Sequence, residues 1–372
     1  MKRFSRREAL GVAVGLAGGV GLASCVHHNQ RYVVEPPRRL KRVLVSPERV
    51  IRTVAGLRPF RPSGFVVRAE NVGGKLLVHN YGHGGGGVTL SWGTAQLAVE
   101  QVSSSGLSGS AAVIGCGAVG LTTARLLQRH GFDVTIYARD IPPNTTSNVA
   151  GASWYPAAVV EAGRRTSRFD AQFERAARLS HRYFQELVGP KYGVHWREQY
   201  FLTEELGPEP WEYVMLRDLF PGPRQLGPHE HPFPVRYALV DNMMFIEPPV
   251  YLAAVLDDFR LAGGRLVVRA FHEARQVAEL PEAVVMNCMG LGAKELFRDE
   301  ELVPDKGQLA ILLPQPEVDY ATGMSDEIYM FPRQDGILLG GTHERGVSTL
   351  EPNAEAERRI LAEHRRIFDG MR

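Results

Sequence analysis

The feature that most constrains this chain is "AAVIGCGAVGLTTARLL", residues 111–127, where a buried strand pattern runs into a glycine turn and then into a helix pattern. Gly115, Gly117 and Gly120 have the G-x-G-x-x-G spacing. The first glycine permits a tight turn, the second lets the backbone approach a pyrophosphate, and the third permits close packing of helix on strand. Because "VTIYARD" follows as a second strand, the segment predicts a βαβ unit that binds a dinucleotide. A glycine turn that serves packing alone is the alternative.

The dinucleotide is predicted to be FAD. Asp140 ends the second strand, where a carboxylate can take a ribose hydroxyl, but this arrangement serves NAD and FAD alike. A second strand and glycine turn, "VVMNCMGLG", follows at residues 284–292. An NAD domain usually completes its sheet without such an interruption, whereas flavoproteins of this architecture return a late strand to the same dinucleotide. The predicted fold is α/β, with a Rossmann-type FAD-binding domain and a second, sheet-based substrate domain.

Charge and cysteine usage exclude several other classes. The net charge of +2 gives no basic surface for nucleic acid. Cys116 and Cys288 lie in apolar strand patterns and are expected to be buried free thiols. His229 and His231 are followed by prolines, which favours a loop over a metal site, so no metal is predicted.

The first 25 residues have the pattern of an export signal. Basic residues open the chain and an uncharged run from Ala9 to Ser24 follows, which is short and glycine-rich for a membrane span. "SRREAL", with Arg6 and Arg7, resembles a twin-arginine signal, and "LASC" resembles a lipoprotein box in which Cys25 becomes lipid-modified. We therefore expect a bacterial protein that is periplasmic or anchored to the membrane. A buried N-terminal helix is the alternative.

From about residue 44 to the C-terminus the chain resembles the D-amino-acid oxidase family. The resemblance is carried by "VIGCGAVGLTTARLL", "IYARD", "PPNTTSNVAGASWYP", "VVMNCMGLGAKEL", "KGQL" and "IYMFPRQDGILLGGT". "GLRPFRP" and "HNYGHGGGGVTLSWG" resemble the family's carboxylate-binding arginine and its last flavin-contacting turn. In the family these two segments come after all the others, whereas here they come first. The chain therefore resembles a circularly permuted member; a fragment of a tandem array or a misassembled sequence is the alternative.

The resemblance implies roles for individual residues. Arg58 would pair bidentately with the substrate carboxylate, the Tyr329 hydroxyl would meet the same carboxylate, and the Gly85 carbonyl would receive the substrate amino group. No catalytic base is implied, so His83 is predicted to be structural. Tyr320 is the candidate for a second active-site tyrosine. The helix expected near Thr89 would point its N-terminus at the flavin. The implied FAD contacts are Gly84, Gly85, Gly86, Gly87, Val88, Thr89, Gly115, Gly117, Ala118, Val119, Gly120, Arg139, Asp140, Thr145, Thr146, Gly151, Ala152, Ser153 and Gly290, with Leu291 beside the last and the stretch from Ala150 to Trp154 along the ring.

Composition and the resemblance together divide the chain into eight parts. They are an export signal (1–25), a tether (26–43), the permuted C-terminal segment of the family (44–99), a linker (100–110), the start of the FAD-binding unit (111–160), a mainly substrate-binding region (161–260), a second FAD-facing segment (261–310), and substrate-domain strands with a terminal helix (311–372).

The function that the resemblance implies is FAD-dependent oxidative deamination of D-amino acids by hydride transfer to flavin N5. The products would be 2-oxo acids, ammonia and, with oxygen as oxidant, hydrogen peroxide. Neutral D-amino acids are favoured over D-aspartate, because the expected pocket offers no obvious second cation. The alternatives are a membrane-anchored dehydrogenase that passes electrons to quinone and a permuted flavin-binding protein without activity.

Overall fold

Two β-sheets carry the fold in the computed structural model, which describes residues 39–151, 153–324 and 328–372. Cys25 and Ala152 lie outside these residues. The first sheet has the order β2-β3-β10-β4-β5-β9 and the second has the order β1-β11-β14-β13-β12-β6-β8-β7, with β15 on β11. The strands are β1 (Val50–Phe60), β2 (Val66–Val72), β3 (Lys75–Tyr81), β4 (Ser110–Ile114), β5 (Asp133–Ala138), β6 (Val194–Thr203), β7 (Arg224–Leu226), β8 (Tyr237–Ile246), β9 (Arg265–Val268), β10 (Val284–Asn287), β11 (Val303–Leu312), β12 (Ala321–Gly323), β13 (Tyr329–Arg333), β14 (Gly336–Gly340) and β15 (Glu344–Arg345).

Helices cover the outer faces of both sheets and connect their strands. They are α1 (Ser91–Ser104), α2 (Ala118–Arg129), α3 (Thr146–Val149), α4 (Ser167–Glu186), α5 (Trp211–Leu216), α6 (Pro248–Leu261), α7 (Ala274–Ala278), α8 (Gly292–Phe297) and α9 (Ala354–Asp369), with 3-10 turns at Pro47–Arg49, Gly84–Gly86, Ala162–Arg164 and Arg217–Leu219. Among the described residues, no helix combines the length and the apolar character that crossing a membrane requires.

The first sheet contains the predicted βαβ unit. Strand β4 pairs in parallel with β5 and with β10, and β10 pairs in parallel with β3. The side chains of β4 from Ala111 to Ile114 and all of those of β10 are buried, as expected of central parallel strands covered on both faces. Helix α2 buries Leu121 and Ala124 in the same core as Ala95 and Ala98 of α1.

The second sheet separates a helix-covered face from a face that is open to a cavity. On one face Met330, Leu339 and Ala310 share a core with Ile360 and Phe368 of α9. Their neighbours along the strands alternate to the other face, because successive side chains of a strand point in opposite directions. That second face therefore presents side chains such as those of Tyr329 and Phe331 towards the first sheet.

Two predicted boundaries differ from the structure. Helix α1 continues to Ser104 because Val102 is fully buried, so that residues 105–109, and not 100–110, join it to β4. The same helix begins at Ser91, near Thr89 as predicted, and a 3-10 turn and a short connection precede it. Val43, at the end of the predicted tether, is fully buried in the core under α9. Segment 44–99 also divides between the sheets, since β1 belongs to the second sheet and β2 and β3 to the first.

Candidate active site

Three glycine turns meet at one edge of the first sheet. They follow β3, β4 and β10, which are neighbouring parallel strands, so their carboxyl ends lie side by side. Ligands of open α/β sheets bind outside such carboxyl ends. A cavity of about 1890 Å³ lies there, and residues of both sheets line it.

The turn after β4 has the geometry of a pyrophosphate site. Gly115 has φ +114°, and a Cβ there would collide with the carbonyl oxygen of Cys288. A Cβ at Gly117 would lie 3.0 Å from Ser147 Oγ, on the wall of the cavity. The 12-residue helix α2 starts at the next residue, and its N-terminal end carries partial positive charge. The cradle fits the diphosphate of a dinucleotide.

Most of the predicted FAD contacts line this cavity. They are Gly84, Gly85, Gly87, Val88, Thr89, Gly115, Gly117, Ala118, Val119, Arg139, Asp140, Thr145, Thr146, Gly151, Ser153, Gly290 and Leu291. Arg139 and Asp140 follow β5 and pair with each other at 2.7 Å on the exposed rim. Their position beyond the second strand is the one at which an acidic residue reaches a ribose.

Gly86, Gly120 and Trp154 are not among the residues that line the cavity, so their contact with FAD stays a prediction. A Cβ at Gly86 would lie 2.5 Å from Val159 Cγ1, and one at Gly120 would collide with the Gly115 carbonyl. These glycines are needed for packing. Trp154 is buried, with its ring centroid 4.5 Å from that of His181.

The turn after β3 is held from behind by another segment. Gly85 N–H donates to the Ala158 carbonyl at 3.0 Å, and Gly84 has φ +53°. His83 is buried, its ring stacks on Phe65 at 5.2 Å, and its Nε2 lies 3.0 Å from Thr94 Oγ1. Burial lowers the pKa of His83 to about 3, so the ring is neutral at physiological pH. These contacts fix the turn beside the start of α1.

Arg58 and Tyr329 lie on the second-sheet side of the cavity. Arg58 Nη1 donates to the Thr342 carbonyl at 3.0 Å, and its guanidinium lies over Gly307, where a Cβ would come within 2.6 Å of it. The Tyr329 ring stacks on Phe331 at 4.9 Å and covers Gly340, where a Cβ would collide with it. The glycines beneath the two side chains, Gly307 and Gly340, let them lie flat along the sheet.

An acid and a histidine that the sequence analysis missed accompany Arg58. Asp305 lies opposite Arg58 in the β1–β11 ladder and is buried. Its Oδ2 is 3.7 Å from Arg58 Nη1 and 2.7 Å from His343 Nδ1, and His343 also lines the cavity. The carboxylate thus orients the guanidinium and the imidazole together.

Tyr320 does not reach the cavity. It is fully buried under α9 on the opposite face of the second sheet, and its hydroxyl donates to the Lys41 carbonyl at 2.8 Å. The interpretation of Tyr320 as a second active-site tyrosine is therefore wrong. Cys116 and Cys288 are buried free thiols, as predicted, and burial raises the pKa of each to about 12.

Comparison with known proteins decides the family. The sequence profile described as DAO, FAD dependent oxidoreductase, matches residues 28–101 and 110–372. The chain belongs to this family. As an FAD-dependent oxidoreductase it is an enzyme that uses FAD, which confirms the predicted enzyme class and cofactor.

Two relatives and one solved structure illustrate the similarity. The oxidoreductase is 34% identical over 262 residues to a D-amino-acid oxidase of Rubrobacter xylanophilus, covering 68% of this chain and 74% of the relative. It is 28% identical over 254 residues to a D-amino-acid oxidase of Dictyostelium discoideum, covering 67% and 70%. The crystal structure of glycine oxidase from Bacillus cereus superposes with a TM-score of 0.53 at 15% identity, covering 70% and 78%, and is similar in fold.

Proposed function

We propose that this oxidoreductase catalyses the oxidative deamination of D-amino acids to 2-oxo acids and ammonia. The observation that carries the proposal is that Arg58 and Tyr329 line the same cavity as the glycine turns that fit FAD. The names of its relatives from Rubrobacter and Dictyostelium support the substrate class.

The chain's own residues bind and orient the substrate in this reaction. Arg58 offers a planar, permanently charged fork that suits a carboxylate, and the Tyr329 hydroxyl adds a donor at the same wall. The Gly85 carbonyl is the proposed acceptor for the substrate amino group. His83 takes no proton, since its buried ring is neutral and bonded to Thr94. The glycine turns after β3, β4 and β10 would hold FAD, whose N5 would supply the hydride acceptor; oxygen would then receive the electrons, with hydrogen peroxide as the product.

The test is a panel of D- and L-amino acids mixed without oxygen with the purified, FAD-loaded protein. Bleaching of the flavin by D-amino acids supports the proposal, whereas no reduction by any member of the panel refutes it and favours a flavin-binding protein without activity. Air and a quinone analogue are then compared as oxidants. Slow reaction with air and fast turnover with quinone would identify a dehydrogenase.

We also propose that the family order is circularly permuted here. The family profile matches two segments that meet at the linker, 28–101 and 110–372. The two chain ends that the permutation would have created lie near Arg39 and Arg372. A contact near them supports the permutation, because Arg42 Nη2 donates to the Met371 carbonyl at 3.0 Å. A permutation requires such ends to be neighbours.

A chain reconnected in the family's order tests the permutation. It would start at residue 110, pass from Arg372 through a short flexible link to Arg39, and end at Ser105. Unchanged FAD content and turnover are expected, since the cavity walls keep their neighbours. Failure to bind FAD would argue against the permutation.

We propose that the enzyme is exported in its folded, FAD-loaded form and anchored through Cys25, a proposal that rests on residues 1–25 of the sequence. Replacing Arg6 and Arg7 by lysine should retain active enzyme in the cytoplasm. Cys25→Ala should leave the protein exported but without lipid. Normal export of the double-lysine variant would overturn the proposal.

A further inference from the structure

A buried acid lies behind the proposed carboxylate site. The Asp305 carboxylate makes one hydrogen bond within the described residues, at 2.7 Å between its Oδ2 and His343 Nδ1. Its Oδ1 is buried and has no hydrogen-bond partner there. The Arg58 Nη1 atom lies 3.7 Å from Oδ2, which is too far for a hydrogen bond but close enough for a strong charge interaction. Asp305 therefore weakens the positive charge that Arg58 presents to the cavity.

Arg58 keeps one edge of its guanidinium free for a ligand. Its Nη1 donates to the Thr342 carbonyl at 3.0 Å, whereas Nε and Nη2 make no hydrogen bond with the described residues. The free edge presents two parallel N–H groups, which is the geometry that a carboxylate accepts bidentately. The Tyr329 hydroxyl is close to the same place, since a Cβ at Gly341 would lie 3.2 Å from it. A substrate carboxylate bound there would share the guanidinium with Asp305 as a second negative charge.

His343 is the group that can change the charge of this pair. Its ring lines the cavity and is partly exposed. Nδ1 is 2.7 Å from Asp305 and 3.4 Å from Arg58 Nη1, so the closer carboxylate accepts the Nδ1 proton. A second proton is then carried by Nε2, which makes no hydrogen bond with the described residues. An imidazole ordinarily changes its charge between about pH 5 and 8.

The other charged groups around His343 ordinarily keep one charge between about pH 6 and 8.5, because they are carboxylates, guanidinium groups and an ammonium. Besides Arg58 of β1 and Asp305 of β11, they are Lys306 of β11, Glu344 and Arg345 of β15, Glu351, and Arg359 of α9, which donates to the Gly341 carbonyl. The buried His83 ring on the first-sheet side stays neutral, since burial lowers its pKa to about 3. A change of charge beside Arg58 in this pH range is therefore expected from His343.

We propose that His343 takes up a proton when a substrate carboxylate binds at Arg58, and so acts as a positioning residue that frees the guanidinium from Asp305. The proposal rests on the proposed function, whose carboxylate site it completes. With neutral His343, the charges of Arg58 and Asp305 cancel, and nothing balances the substrate carboxylate. The added proton gives the site one net positive charge, which one α-carboxylate neutralises, so neutral side chains stay favoured over acidic ones. Because linkage is reciprocal, protonation of His343 must tighten carboxylate binding by the factor by which the carboxylate favours the proton.

The first experiment measures the affinity of the FAD-loaded enzyme for 2-aminoisobutyrate, which has the carboxylate and amino group of a substrate but no Cα hydrogen. Changes in the flavin spectrum report its binding between about pH 6 and 8.5. In the wild type the Kd should rise at least about fivefold over this range, because His343 loses its proton. His343→Gln should bind at least about fivefold more weakly at the acid end and show no rise. His229→Gln is the matched control, since His229 is an exposed loop residue that is not among those lining the cavity. It should keep the wild-type profile.

The second experiment combines His343→Gln with Asp305→Asn. Removing the negative charge makes the proton unnecessary, so the double variant should bind 2-aminoisobutyrate at least about fivefold more tightly than His343→Gln, and equally at both ends of the pH range. Asp305→Asn alone should also abolish the rise of the Kd with pH.

A purely structural role for the pair predicts instead that the second substitution weakens binding further. That result, or a wild-type pH profile in His343→Gln, would overturn the inference. The same comparison is made with D-alanine, from the concentration dependence of flavin reduction without oxygen. If no D-amino acid reduces the flavin, the proposed function fails; if D-alanine reduces it and His343→Gln keeps the wild-type pH dependence of the Kd, the inference fails alone.

Discussion

Replacing Arg58 by alanine should disable the enzyme while leaving its fold nearly intact. A bidentate pair with a carboxylate consists of two charge-assisted hydrogen bonds, and losing them costs about 3–4 kcal/mol, or about 10²–10³ in kcat/KM. The substitution reduces the stability of the folded state by less than it reduces transition-state binding. Arg58 donates to Thr342 and lies 3.7 Å from Asp305, but His343 stays 2.7 Å from that carboxylate, so no buried charge is left alone. The free energy of unfolding should fall by about 1–2 kcal/mol.

Arg61 provides the matched control, because it belongs to the same "RPFRP" motif but does not line the cavity. It pairs with Asp299 at 3.0 Å and with Glu301. Arg61→Ala should therefore lower stability by a similar amount and keep turnover. Steady-state rates with a D-amino acid, flavin absorbance and urea unfolding of both variants separate the two effects. If Arg58→Ala keeps kcat/KM within about threefold of the wild type, the assignment of Arg58 is refuted.

Three further predictions concern the glycine turns. Gly117→Ala should weaken FAD binding with the fold retained, because its Cβ would occupy the cavity wall 3.0 Å from Ser147 Oγ; titration of the apoprotein with FAD measures this. Gly120→Ala should lower the free energy of unfolding by about 1–3 kcal/mol, measured in urea, because its Cβ would collide with the Gly115 carbonyl. In the unfolded protein, His83 has its ordinary pKa of 6.5 and takes up a proton as the pH falls from 7 to 4. In the folded protein its pKa is about 3, so it stays neutral over this range. The wild type should therefore lose about 3 kcal/mol more stability over this range than His83→Gln; equal losses in acid denaturation would contradict this assignment.

The FAD-binding edge of the first sheet could be predicted because the sequence patterns that mark it are local in the chain. The strand, glycine turn and helix around Gly115 follow one another within 20 residues, and each glycine has a steric reason that the structure bears out in its own neighbourhood. Gly86 and Gly120 show the limit of such reasoning. Glycine is needed at these two positions because a Cβ would collide with Val159 or with the Gly115 carbonyl. Only the folded structure distinguishes a glycine needed for packing from one that lines a cavity.

The residues on the second-sheet side of the cavity could be predicted only through a family resemblance. Which side chains lie next to one another there depends on the register of paired strands. Asp305 faces Arg58 because β11 pairs with β1, and Asp241 faces Gln199 because β8 pairs with β6. A slip of one residue in either ladder would turn these side chains to the helix-covered face. Nothing in the local sequence of "DKGQ" or "LVDNM" indicates a cavity wall. The wrong interpretation of Tyr320 has the same origin. The pairing of the strands around Tyr320 decides which face of the sheet its side chain occupies, and it lies in the core under α9.

The proposed permutation leaves this site undisturbed for a geometric reason. The cavity depends on the carboxyl ends of β3, β4 and β10, which need only to be neighbours in the sheet, whatever their order in the chain. The connection 105–109 enters β4 at Ser110, the amino end of the strand and so the edge opposite the glycine turns. The contact between Arg42 and Met371 belongs to the α9 side of the second sheet, away from the face that carries Tyr329. Both sites of reconnection thus lie behind the cavity walls, and selection for catalysis would not oppose moving the chain ends there.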